Sequence, residues 1–439
     1  MKRFTTAVIL LMLFAAGLIL LFSLKSKPID SLLHAPVRDE QSAQIWQVFE
    51  KAAGRNYTLK TPTDGEHRSA LIHVDLDGDS KEEILAFYSK EGASETVFLQ
   101  IFGAADNGWA ALAGAESGFN EVKQVEFADI NGDGMLEIII GWGLQSSKLI
   151  QQLNIYTVDI EKAEIKSIFL TKYSVFGVFD LNADGKSELA VIYGDKSAAS
   201  ALSVLKVFSC TSGKVSQAVS LDVDPVISTV SKISFDYLRR TNESRVYIDG
   251  FTADGQMTTD MMCFDIEKSG LERVFIDGKT VSGISKRSSN VECKDINGDG
   301  VIEIPTQQKL EHKELSSSII EWKAVLGEKL SKAASYFDNR ENGYYFEIPK
   351  QLEKNTIPVL LSDGETMRLY LIDEDADGSL QNVPLFEIRL ESEEMHSVLS
   401  GRFRPLGSYK GKKYYYRIFE AGDKLGITKK DISSGIIYN

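Results

Sequence analysis

The sequence predicts a mainly β protein. It reads as a β-propeller of five blades, or six if a C-terminal strand pair joins the ring, with calcium-binding loops, an N-terminal transmembrane helix and a small C-terminal α+β domain. Three observations predict it. An acidic ten-residue phrase recurs as DINGDGMLEI from Asp129 and DINGDGVIEI from Asp295, with looser copies DLDGDSKEEI from Asp75 and DLNADGKSEL from Asp180. Each copy runs into a β-like stretch: EILAFY, EIIIGW, ELAVIY and EIPTQQ. The copies begin at 75, 129, 180 and 295, so the steps are 54, 51 and then 115, which is two repeats.

A period of this size belongs to units that bury their apolar faces only by stacking on one another. The spacing places a hidden copy near residue 236, where ISFDYLRRTNESRVYIDGF follows the outline of GVFDLNADGKSELAVIYGD. Asp236 keeps the first position, but Leu238 and Arg240 stand where oxygen ligands belong. That repeat is expected to keep its fold and lack a metal. Each repeat also holds about four strand-like runs; in the second they are VKQVEFADI, EIIIGW, QQLNIYTVDI and AEIKSIFLTKY. Four short strands make a propeller blade, with the acidic loop joining its first two. Five blades fit between residues 61 and 340.

Aligned, the four loops share one chemistry. Position 1 is Asp75, Asp129, Asp180 and Asp295; position 3 is Asp77, Asn131, Asn182 and Asn297. Position 5 is Asp79, Asp133, Asp184 and Asp299, and position 9 is Glu83, Glu137, Glu188 and Glu303. Positions 2 and 10 are always Leu or Ile. Short oxygen-bearing side chains at 1, 3 and 5 can turn inward round a hard cation, and a longer Glu closes the shell. Position 7 (Lys81, Met135, Lys186, Val301) would ligate through its backbone carbonyl, so its side chain is free to vary. Position 6 is Gly except at Ser80, a departure at the sharp-turn position. The bland alternative is a solvated Asp/Asn/Gly turn. An EF-hand would need a Glu at position 12, where the chain has Ala86, Ile140, Val191 and Thr306.

The pattern Asp-x-Asp/Asn-x-Asp-Gly-x-x-Glu/Asp-Ile/Leu before a strand resembles the FG-GAP/VCBS repeats, as in the N-terminal propeller of integrin α-subunits. The resemblance implies a propeller with about four structural Ca²⁺ ions and, usually, a binding role. The full Phe-Gly…Gly-Ala-Pro phrase of integrins is absent.

Residues 4–24, FTTAVILLMLFAAGLILLFSL, hold no charge and follow the basic MKR. The run is long enough to span a bilayer, with the N-terminus cytoplasmic and the body outside. Residues 1–28 therefore read as an anchor. The alternative is a cleaved signal and a secreted body, but its one small-x-small site, Ala15-Ala16-Gly17, is mid-stretch. No Cys follows the run, which excludes lipoprotein processing. Residues 29–60 read as a tether with a helix over SAQIWQVFEKAA, placing Ile45, Val48 and Phe49 on one face.

The net charge of −14 argues against a nucleic-acid partner, and 13 of the acids stand at ligand positions of the four loops, where bound ions would offset them. Cys210, Cys263 and Cys293 have no close spacing and read as small hydrophobes. Residues 341–439 read as an α+β domain, with helices over SEEMHSVLS and over TKKDISSGII, the latter capped by Thr428. DEDADGSLQ from Asp373 mimics a metal loop, but Gln381 at position 9 makes an acidic hairpin turn the better reading.

No HExxH, GxSxG, GxGxxG, P-loop or CxxC motif is present. The sequence thus favours a membrane-anchored extracytoplasmic module that binds an unidentified protein or glycan. The alternatives are an envelope-complex scaffold and a surface-polymer hydrolase or lyase. The enzyme reading requires a concave pocket whose acids are not metal ligands.

Overall fold

The computed structural model describes residues 40–54, 56–105, 108–194, 203–265, 270–374, 380–391 and 403–438. The expected anchor at 4–24, the expected helix at 392–400 and the Asp375–Asp377 turn lie outside them. Among the described residues no helix is long and apolar enough to cross a membrane.

Five antiparallel sheets follow one another along the chain, each a meander of neighbouring strands. In the first, Tyr57–Lys60 and Leu71–Val74 lie end to end along Glu83–Lys90, followed by Ala93–Ala105 and Gly108–Glu116. The second runs Glu121–Ala128, Glu137–Leu144, Ser147–Asp159, Glu164–Lys172; the third runs Val175–Phe179, Glu188–Tyr193, Val204–Thr211, Lys214–Asp222. The fourth runs Thr229–Leu238, Glu243–Phe251, Met257–Asp265, Gly270–Arg273, and the fifth begins with Ile304–His312, Leu315–Leu326 and Lys329–Asn339.

The stacking follows from the second strand of each sheet. EILAFYS, EIIIGWG, ELAVI and SRVYIDG are buried along their whole length. Side chains alternate between faces, so such a strand needs a neighbour on both sides. Ile138, Ile140 and Trp142 pack back on Leu85 and Phe87 of the first sheet, whereas Ile139 packs forward against Leu189 and Val191. Ala190 and Ile192 in turn meet Val246 and Ile248, and Tyr247 and Met261 meet Ile304 and Val325. The result is a propeller-like succession of face-packed sheets. Among the described residues no core cluster joins the first sheet to the fifth.

Both ends of the row are covered. Helix α1 (Glu40–Ala53) lays Ile45, Phe49 and Ala53 on Ile84, Ala86, Tyr88 and Phe102 of the first sheet. A C-terminal five-stranded sheet packs Met367, Leu369 and Leu385 against Ile319, Phe337 and Phe346 of the fifth. Two expected boundaries shift. Tyr57–Lys60, assigned to the tether, is paired into the first sheet. The division at residue 340 falls inside a sheet: Tyr344–Glu347 pairs with the Lys329–Asn339 strand across a tight turn at Arg340–Asn342, and Ile436–Tyr438 adds outside it. The C-terminal pair Tyr344–Glu347 and Ile436–Tyr438 therefore extends the fifth sheet. Thr428 does cap the last helix, Lys429–Gly435, in a reciprocal box with Asp431.

Phe49 is fully buried and meets Tyr57, Tyr88 and Phe102 edge-on. Phe49→Ala should lower unfolding free energy by about 3–5 kcal/mol in denaturant melts, while the exposed Gln47→Ala stays within about 0.5 kcal/mol.

Candidate functional site

The four acidic loops occupy the same place in four sheets. Strand pairing stops one residue before the first Asp, at Val74↔Glu83, Ala128↔Glu137, Phe179↔Glu188 and the bridge Lys294↔Glu303. The eight residues between curl in one conformation. Position 4 takes a left-handed φ (Gly78, Gly132, Ala183, Gly298), and so does position 6 (Ser80, Gly134, Gly185, Gly300). Ser80 adopts φ 69 although it is not glycine, so the first loop keeps the turn despite its sequence. The strands that follow carry Ala86, Ile140, Val191 and Thr306 into the core, which excludes a helix–loop–helix.

Side chains hold the curl from within. The position-1 carboxylate accepts from the position-6 N–H at 2.9 Å in Asp75, Asp129 and Asp180 and at 2.8 Å in Asp295. Positions 3 and 5 accept from the N–H two residues on: Asp77 from Asp79 and Asp79 from Lys81 in the first loop, and likewise in the others. The position-9 Glu turns back and accepts from the position-2 N–H at 2.8–3.0 Å. Position 7 takes part through its backbone alone in the second loop, where Met135 is 37% exposed.

The oxygens converge on a point. One carboxylate oxygen from each of Asp75, Asp77 and Glu83 lies within 4.8 Å of the other two. In the other loops an amide stands between the acids: Asn131 Nδ2 donates to Asp133 at 3.0 Å and to Glu137 at 2.6 Å. Asn182 and Asn297 repeat this with their own Asp and Glu. Burial pushes the Glu137 and Glu188 carboxyls up to about 7, and the nearby aspartates add to the rise against the opposing N–H bonds. Glu83 and Glu303 are raised for the same reasons. An all-oxygen donor set that crowds like charges is the chemistry a hard divalent cation relieves. The residues present fit such an ion, with Asp, Asp/Asn, Asp and Glu as side-chain donors.

A second feature was not legible as a motif. Strands that open the second, third and fourth sheets, with the segments 64–68 and Glu292, line one cavity of 550 Å³. It is walled by Asp64, Glu66 and Arg68, by Gln124 and Glu126, by Val175–Val178, by Ser231–Ile233 and Phe235, and by Glu292. Lys232 of the fourth sheet pairs with Glu292, just ahead of the loop at Asp295, at 3.6 Å, and Thr63 and Asp64 donate backbone N–H bonds to Val122 and Lys123 of the second sheet. Gly177 permits the third and fourth inner strands to close up, since a Cβ there would sit 2.6 Å from Phe235. Burial raises the Glu126 carboxyl, which accepts from Gln124 Nε2 at 2.8 Å. Four of the lining acids belong to no metal loop.

The remaining candidates are structural. Trp142 is a core residue between the first two sheets, and Cys210, Cys263 and Cys293 are free thiols.

No family model and no curated protein matches the chain. Solved structures with some likeness include the Bacillus licheniformis rhamnogalacturonan lyase PL11 at 11% identity, covering 82% of this chain and 91% of that one with a TM-score of 0.32. The Dos1 propeller follows at 8% identity, 79% and 67% coverage and 0.32, and Saccharomyces cerevisiae Sqt1 at 9%, 81% and 86%, and 0.36. TM-scores this far below 0.5 carry no argument about the site.

Ser80→Gly should stabilise the protein by about 0.5–1 kcal/mol by relieving a left-handed φ. Gly134→Ala, at φ 86 with open space around its Cβ, should cost about 1–2 kcal/mol; urea unfolding reads both.

Proposed function

We propose that the chain is a membrane-anchored, extracytoplasmic binding module. Its five sheets act as the blades of an FG-GAP/VCBS-like propeller, and structural Ca²⁺ in the loops at 75, 129, 180 and 295 clamps them. The observation that carries this reading is the recurrence of one closed, oxygen-lined loop at the same point of four sheets. Ca²⁺ would replace repulsion among three or four carboxylates with coordination, while the chain supplies the curl and the Glu that closes it. The anchor rests on the uncharged run at residues 4–24. The ligand, an extracellular protein or glycan, would enter this cavity, whose 550 Å³ lies within the range of small-ligand sites.

Ions bound with about 10⁻⁴–10⁻³ M affinity at about millimolar Ca²⁺ add roughly 0.4–1.4 kcal/mol each, so four add about 2–6 kcal/mol. EGTA should therefore lower the melting temperature by roughly 3–10 °C. Equilibrium dialysis against saturating calcium should count four bound ions on wild-type protein, and one fewer on Glu137→Gln. An unchanged melt sinks the metal reading.

The cavity's acids favour a second reading, cleavage of a surface polymer, with Glu126 as a candidate catalytic carboxyl group. Incubation with a panel of acidic and neutral polysaccharides separates the two. Chain scission that Glu126→Gln abolishes without altering the melt supports the enzyme; saturable binding without scission supports the module.

A further inference from the structure

The fourth repeat is where the row of loops breaks its pattern. Pairing there does not stop before the first Asp. It runs on through Asp236↔Arg245 and Tyr237↔Ser244 to Leu238↔Glu243, so the loop is zipped into a short turn. Arg245 stands at position 10, where the other four repeats place Leu or Ile. Its guanidinium is gathered onto the position-1 carboxylate: Nε donates to Asp236 Oδ1 at 2.7 Å and Nη2 to Oδ2. The third arm, Nη1, donates to the Val325 carbonyl of the fifth sheet at 2.8 Å, and the Tyr247 hydroxyl donates to Asp236 Oδ2 at 3.1 Å. Both charged side chains are at most 3% exposed.

The same carboxylate reaches the next loop. Asp236 Oδ2 accepts from Ile302 N–H, position 8 of the fifth loop, at 2.7 Å. Position 8 has the same office elsewhere: Leu136 N–H donates to Leu76 O at 2.8 Å, and Ser187 N–H donates to Asp129 O at 2.9 Å. The second, third and fifth loops therefore each lean on the one before. In two cases the support is the backbone of an acidic loop; in the third it is a carboxylate fixed by an arginine.

We infer that Arg245 is a built-in cation that does in the fourth repeat what a bound metal ion does in the others, so the seam between the fourth and fifth sheets holds without calcium. The inference rests on the calcium reading of the other loops. A guanidinium keeps its charge at every physiological pH and cannot dissociate, and its planar fork matches a carboxylate. It supplies one charge to one carboxylate, where the metal loops present three or four. Removing calcium should then free the supports of Leu136 and Ser187 and leave that of Ile302 in place.

Amide hydrogen exchange on the full chain, in millimolar calcium and in EGTA, tests this. Exchange at Leu136 and Ser187 should quicken about tenfold or more in EGTA, while Ile302 stays within about twofold. Ile302 loosening in step with the other two overturns the inference while leaving the calcium reading intact. No response at any loop overturns the calcium reading and this contrast with it. A second measurement rebuilds the lost site with Leu238→Asn, Arg239→Gly, Arg240→Asp, Thr241→Gly, Ser244→Glu and Arg245→Ile together. The folded variant should bind one more Ca²⁺ than wild type by titration calorimetry, and Ile302 should become EGTA-sensitive. A folded variant with the wild-type ion count, or a wild type that already fills five sites, overturns the substitution of guanidinium for metal.

Discussion

The molecule is organised by strands that cannot tolerate water on either face. Glu83–Lys90, Glu137–Leu144, Glu188–Tyr193 and Glu243–Phe251 sit second in their sheets and are buried on both sides nearly throughout. A single sheet of this composition would leave one apolar face bare, so each recruits the next. The same demand accounts for the ends. Helix α1 covers the first sheet and the C-terminal sheet covers part of the fifth, so neither terminal sheet is left naked.

Against that apolar stack, the acidic loops are the costly element. Each holds a Glu that is at most 5% exposed beside two or three aspartates, and the backbone N–H bonds it accepts offset only part of its desolvation. Two solutions to the charge problem occur in one chain. Four repeats keep an oxygen cage, and one repeat zips the loop shut over an ion pair. The second solution resembles the other buried pairs nearby, Arg287–Asp249 and Arg273–Asp260, which cluster in and around the fourth sheet. That region relies on fixed charges throughout.

Much of this could be read from the residues. The repeat spacing located the degenerate copy at Asp236, and the hairpin there is real. The strand after the first three loops was legible because an unbroken run of apolar residues follows the Glu, as in EILAFY and ELAVIY, and the turn because Asp, Asn and Gly recur ahead of it. The partner of Asp236 was missed, although its signal was present: an arginine at position 10, where the other four repeats have Leu or Ile, has to find a counter-charge. The sharing of a sheet between the fifth repeat and the C-terminal unit was not legible. YYFE reads equally well as the start of a new domain, and its pairing depends on the turn at Arg340–Asn342 and not on its own composition. The acids of the cavity were hidden for another reason. Glu66, Glu126 and Glu292 are scattered over more than 200 residues and come to one cavity only in the folded chain.

The outermost strand of the fifth sheet has an implication for the order of folding. The first four sheets pair segments that are adjacent in the chain, so each can zip as soon as its own residues leave the ribosome. The fifth cannot finish so early. Ile436–Tyr438 must travel back to Tyr344–Glu347 after the whole C-terminal sheet has formed between them. Its edge waits open longest, and the late-arriving strand is the step most exposed to mispairing with another chain.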